Sequence, residues 1–186
     1  MTVDGVRAHR AAFQAIADAN GGIRTSGTPG YDASVAYVEQ QMIAAGYDVT
    51  LQPFTFSSYI VLGPSTLAQL APTSTVYVED VDYTLMSQTD AGSVTGAVQA
   101  VDLALGAGNG STSGCEASDF AGFTTGNIAL IQRGACSFEQ KAENAAAAGA
   151  IGAIIFNQGK DPSREGLING TLGSDNTSGI PVVFAT

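Results

Sequence analysis

At 186 residues the chain has room for one medium domain, or for one domain with an attached piece. Hydrophobic residues make up 45%, enough for a core, and charged residues only 13%, so the polar surface falls to Ser, Thr, Asn, Gln and Gly. A net charge of −10, with 7 Lys and Arg scattered along the chain, excludes a phosphate-binding basic patch and disfavours anionic membranes.

No apolar run approaches the roughly 18 residues of a membrane span. The opening MTVDGVRAHR lacks the apolar region of a signal peptide, so export would require a leader already removed. Residues 4–20 read as a helix with Val6, Phe13, Ile16 and Ala17 on one face, stopped by Gly21-Gly22. A second helix follows the loop Arg24-Thr25-Ser26-Gly27-Thr28-Pro29-Gly30, with Thr28 as N-cap and Pro29 at the first helical position. Its stripe is Tyr31, Val35, Val38, Met42 and Ala45, and Gly46 supplies the left-handed cap. Val49, Leu51, Phe54 and Phe56 predict a strand, with its alternation slipping at Pro53.

The character changes near residue 57. Segments 66–70, 75–79, 83–87 and 94–102 predict short, mostly antiparallel strands. Asp80 and Asp82 would share a solvated strand face. Residues 103–118 form a Gly/Ser/Asn loop. Its Gly106-Ala107-Gly108-Asn109-Gly110 run is no dinucleotide fingerprint, because Ser111 stands at the third glycine position and no helix opens there. Ile128-Ala129-Leu130-Ile131 reads as a strand buried on both faces. A helix from Ser137 to Ala148 follows, opened by a capping box of Ser137 and Gln140 and ended by Gly149. It turns Phe138, Ala142, Ala145 and Ala146 inward. Residues 151–156 give a second buried strand, completing a βαβ unit with parallel strands and a right-handed crossover. Residues 180–184 predict one more buried strand.

The chemistry-bearing residues are few. A hydrolytic zinc site usually takes three protein ligands, commonly with two or more His, plus a base. The sole histidine, His9, sits midway along the first helix. No Gly-x-Ser-x-Gly elbow is present, and Ser137 reads as a cap rather than a nucleophile. Arg133, at a strand end before Gly134, reads as a structural or rim residue. Lys141 is expected on the surface, pairing weakly with Glu139 or Glu143. Cys115 and Cys136 are either two buried free thiols or a disulfide closing a loop of about 20 residues, worth roughly 3 kcal/mol in the chain-entropy model. Three N-x-S/T sequons make Asn109, Asn169 and Asn176 possible glycan acceptors in a eukaryotic secretory host.

Residues 126–138, GNIALIQRGACSF, then Lys141, Asn144-Ala145, residues 148–157 and Gly179-Ile180-Pro181-Val182-Val183 resemble the protease-associated (PA) domain. The motif positions are Arg133, Gly134, Phe138, Lys141, Asn144 and Gly149. Cys115, in Gly114-Cys115-Glu116-Ala117-Ser118-Asp119-Phe120, matches the variant in secreted aminopeptidases, and that resemblance implies a Cys115–Cys136 disulfide. Arg24 to Tyr31, Tyr37-Val38, Ala45-Gly46-Tyr47 and Val49 resemble the start of the di-zinc aminopeptidase family, in which a PA domain is inserted after the first strand of the peptidase fold.

The resemblance implies a mixed α/β chain. Residues 1–57 would be a helix–helix–strand piece of the peptidase domain. Residues 58–186 would be a β-rich PA open barrel or sandwich containing the βαβ unit, lacking its last helix and strand. The chain would carry no cofactor and be inactive alone; the two zinc ions implied for the parent would be held by residues beyond it. Expected partners are the remainder of the peptidase and a peptide or protein substrate, in a secreted setting. The PA domain would serve as a lid, a substrate-access element or an interaction module. The rival reading is a stand-alone peptide- or protein-binding module without peptidase activity.

Overall fold

The structure, a computed structural model, describes residues 2–56, 58–61 and 63–186. The chain divides into two compact units, Met1–Thr55 and Phe56–Thr186. Ser57, the boundary expected from sequence, lies outside the described residues.

The first unit is a helical pair, α1 (Val3–Ala19) and α2 (Pro29–Ala44). Thr2 caps α1 by accepting from the Gly5 amide, and Thr28 caps α2 by accepting from the Tyr31 amide, with Pro29 at the start. These side chains satisfy amides that the first helical turn leaves without partners. Gly46, at φ 88°, ends α2 in the left-handed conformation glycine adopts without strain. Phe13, Ile16 and Ala17 of the expected α1 face are half-buried, whereas Val6 is exposed. The two helices meet through Phe13 and Tyr37, whose rings pack edge-on at 5.3 Å.

The strand expected over residues 49–56 does not form; this stretch has no regular secondary structure. An alternating apolar pattern makes a strand only beside a second strand, and among the described residues this unit has none.

The second unit holds two sheets. A hairpin pairs β1 (Leu67–Gln69) with β2 (Thr75–Tyr77) antiparallel. The main sheet has the order β3-β7-β6-β5-β4, with β3 (Tyr83–Leu85), β4 (Val98–Val101), β5 (Ile128–Gln132), β6 (Gly152–Phe156) and β7 (Val182–Ala185). β4 to β7 run parallel, and β3 closes the far edge antiparallel. β4 thus departs from the expected antiparallel character of residues 57–102. Its ladder partner is β5, reached by a long connection rather than a tight turn. Residues 80–82 form a turn instead of a strand face: Asp80 has φ 63°, and the Asp82 carboxylate accepts the Val78 amide at 2.8 Å.

Between β5 and β6 runs α3 (Phe138–Ala147), the helix of the βαβ unit. Its Ala142 and Ala145 are fully buried against a core that includes Ile131, Ile155, Val182 and Phe184, all 0% exposed. Each such large apolar side chain contributes roughly 1.5–3 kcal/mol when removed from water. The architecture is mixed α/β, as the sequence predicts.

Candidate functional site

Most of the PA-motif residues, Arg133, Gly134, Phe138, Lys141 and Asn144, lie where β5 hands over to α3 and along that helix, and Gly149 lies beyond its far end. The last residue of β5, Gln132, is completely buried. It donates to the Ala104 and Gln158 carbonyls at 3.0 and 2.7 Å and accepts from the Ala104 amide at 2.8 Å. Ser113, also fully buried, donates to the Val101 carbonyl and accepts the Gln132 amide at 3.0 Å. The loop after β4 is therefore tied to the sheet by polar groups that are all satisfied.

Arg133 donates to the Asn157 side chain at 3.1 Å, and its guanidinium lies 6.0 Å from the Phe138 ring centroid. Burial and the nearby Arg164 lower its ordinary pKa. Gly134 is required sterically, since a Cβ there would stand 1.9 Å from the Ser111 carbonyl oxygen. Phe138 packs edge-on to Phe184 at 5.8 Å between ring centroids. Gly149, at φ 88°, caps the end of α3 against Thr125.

Cys115 and Cys136 form a disulfide, with their Cα atoms 5.7 Å apart. Three further side chains of α3 grip the segment that carries Cys115. Gln140 donates to the Cys115 carbonyl at 2.7 Å, and Asn144 donates to the Gly114 and Cys115 carbonyls at 3.0 and 2.9 Å. Lys141 donates to the Ser113 carbonyl and lies with its Nζ 3.6 Å from Cys115 Sγ.

Lys141 and Gln140 depart from what their sequence positions predict. Lys141 is not a surface residue pairing with Glu139 or Glu143. It is 0% exposed, because Ser113 offers it an acceptor inside the fold, and Glu143 accepts from Thr177 instead. Gln140 does not close a capping box. Ser137 accepts the Gln140 amide at 3.2 Å, but the Gln140 side chain points away to Cys115. Burial pushes the Lys141 ammonium down to about 8, with Asp119 opposing the shift.

Sequence reasoning missed Ser113 and Gln158 and gave no role to Gln132 and Asn157, which lie within the PA-like stretches; all four are buried polar residues. No local pattern marks them, since their partners lie up to 49 residues away.

The sequons differ. Asn109 is held by donation to Gly106 and Gln158, and Asn176 by donation to Gln88 and Asp90. Asn169 is exposed.

In the helical unit, an open cavity of about 360 Å³ is lined by the α2 stripe residues Tyr31, Val35, Val38 and Met42, together with Phe13 and Leu51. Arg24 braces its loop: the guanidinium stacks 4.2 Å from the Phe13 centroid and Nε donates to Ser34 at 2.9 Å.

A zinc centre does not fit these residues. Among the described residues no group of three or more His, Cys, Asp or Glu side chains gathers. His9 Nδ1 is engaged by the Tyr37 hydroxyl at 2.7 Å. No helix among the described residues is long and apolar enough to cross a membrane.

A parallel β-core with one crossover helix, a Gly134 turn and a disulfide-tied loop defines a PA-type module. The PA domain family matches residues 94–186, and the chain belongs to that family. Its PA domain is of the kind found in aminopeptidases. An aminopeptidase of Pseudomonas aeruginosa (strain UCBPP-PA14) is 58% identical over 171 residues, 92% of this chain and 32% of the relative. The probable lipoprotein aminopeptidase LpqL of Mycobacterium tuberculosis is 35% identical over 187 residues, 100% of this chain and 34% of the relative. Among solved structures, an aminopeptidase from Aneurinibacillus sp. strain AM-1 matches with a TM-score of 0.69 and 31% identity, covering 96% of this chain and 37% of that one. The chain thus spans about a third of the length of the curated relatives it matches.

Proposed function

We propose that these residues are the opening of a secreted, zinc-dependent aminopeptidase together with its PA domain. Residues 1–57 belong to the peptidase fold and residues 58–186 to the PA domain. The observation that carries this reading is the 58% match, which runs through 92% of the chain and so through both units. A relative with only a PA domain in common would align over the second unit alone.

In this reading the catalytic metal ions are held by residues outside these 186. When bound, zinc supplies an activated water and a Lewis acid for peptide-bond cleavage. The present residues do other work. The βαβ core gives a rigid body, and the loop tied to it by Cys115 is fixed rather than mobile. A rigid module beside a cleft limits which peptides enter and offers a surface to those that do. We assign the PA domain this lid or substrate-access role, with a peptide or protein as its partner. The disulfide supports a location outside the reducing cytoplasm, as does the word lipoprotein in the name of the mycobacterial relative.

Excision of the whole PA domain, from residue 58 to its end, from a full-length enzyme tests the role. The expected result is a changed kcat/KM for long peptides with little change for a single-residue chromogenic anilide. Equal effects on both substrates would remove the access role. The second reading, a stand-alone binding module, draws on the second unit's own core; micromolar peptide binding by the isolated chain, from a gene that stops after Thr186, would favour it.

A further inference from the structure

The two sulfurs of the disulfide stand in different surroundings. Cys115 is 6% exposed, whereas Cys136 is only half-buried. Behind Cys115 lies the fully buried Lys141, with Nζ 3.6 Å from Cys115 Sγ. Its hydrogen-bond acceptor is the neutral Ser113 carbonyl. The one ion pair within 4 Å among the described residues is Arg7–Asp4, far along the chain, and Asp119 acts on Lys141 only at longer range. A buried ammonium lacking a contacting counter-charge is costly. A thiolate on Cys115 would supply that counter-charge.

We propose that Cys136 is a thiol-exchange site, with Cys115 as the leaving group held by Lys141. The ligand class is a small or peptide-borne thiol. Its thiolate attacks Cys136 Sγ, the Cys115–Cys136 bond breaks, and its electron pair goes to Cys115 Sγ. The products are a mixed disulfide on Cys136 and a Cys115 thiolate paired with the Lys141 ammonium. A leaving thiol of lowered pKa departs faster. The N-terminus of α3 pulls the other way, since it favours negative charge near Cys136. That partial charge is in part already answered, since Ser137 accepts the Gln140 amide. A full charge buried beside Cys115 outweighs it. Exchange also frees the 113–115 segment from its covalent tether, which makes the site a covalent attachment point with a structural consequence.

The test uses the 186-residue chain with reduced glutathione near pH 7.5. The reaction is quenched with acid, the chain is unfolded and alkylated, and each cysteine is mapped by mass spectrometry. The expected result is glutathione on Cys136 and alkylation on Cys115, with at least a tenfold preference. In urea the preference should vanish. Lys141→Met, or Lys141→Gln, which keeps a donor for Ser113, should lower the exchange equilibrium constant about tenfold, equivalent to roughly 30 mV. The wild-type partition stands as a test even if neither variant folds. Glutathione equally on both sulfurs or mainly on Cys115, or exchange unchanged in a folded Lys141 variant, overturns the proposal. So does a folded chain inert at thiol concentrations that modify the unfolded one.

Discussion

Gly134→Ala isolates one steric requirement of the PA turn. Gly134 lies outside the left-handed region, so backbone strain is not the issue. The added methyl would stand 1.9 Å from the Ser111 carbonyl oxygen and 2.7 Å from its carbon, where ordinary contact begins at 3.4 Å. The loop must therefore retreat by roughly 1.5 Å, the difference between 3.4 and 1.9 Å. That shift breaks the Ala135 amide bond to Ser111, now 3.1 Å, and pulls on Ser113 and its buried partners. Losing a buried hydrogen bond costs about 1–3 kcal/mol, and overpacking adds about 1–3. The expected loss is roughly 2–6 kcal/mol. Gly110→Ala, in the same loop, is the control: nothing stands within 4 Å of its Cβ position and its φ is ordinary. It should change stability by no more than about 0.5 kcal/mol. Urea-dependent hydrogen exchange of β5 and β6 amides reads the PA sheet alone. Equal stability of the Gly134→Ala and parent chains, or equal damage from Gly110→Ala, would refute the steric reasoning.

The folded chain holds Lys141 at about 8 against an ordinary 10.5, so between those values the unfolded chain binds a proton that the folded one lacks. Stability therefore gains about 3 kcal/mol from this group as pH rises through that window, and the cost is fully present below it. The unfolding free energy of the parent minus that of Lys141→Met should rise between pH 7.5 and 10; a flat difference contradicts the burial. Expression in a eukaryotic secretory host should add one glycan, at exposed Asn169, and Asn169→Gln should abolish it. Occupancy of Asn109 or Asn176 would mean their hydrogen bonds yield to the transferase. Ser137→Ala should cost about 1 kcal/mol in urea unfolding by removing the cap of α3; no loss would make the cap dispensable.

What was legible in the sequence followed local rules. Thr28 with Pro29, Ser137 and the glycines at 46 and 149 bounded two helices to within a residue or two, because capping depends on near neighbours. The apolar runs of β5 and β6 announced parallel, buried strands. What depended on distant partners stayed hidden. Lys141 sits between two glutamates, a surface signature, yet its acceptor lies 28 residues earlier. Gln140 follows the capping-box spacing, but Cys115 competes for its amide group and wins. Residues 49–56 alternate like a strand, yet the stretch takes no regular secondary structure, since alternation alone does not supply a pairing strand. β4 reads like its antiparallel predecessors, and only the pairing with β5 fixes its direction.

Turnover of an aminoacyl p-nitroanilide with added zinc, by the purified 186-residue chain beside a full-length relative, tests most directly whether these residues accompany the chemistry or perform it. The relative should hydrolyse the substrate, and this chain should release no chromophore above buffer. Release by this chain alone, abolished by a chelator and restored by zinc, would contradict the assignment of catalysis to residues elsewhere.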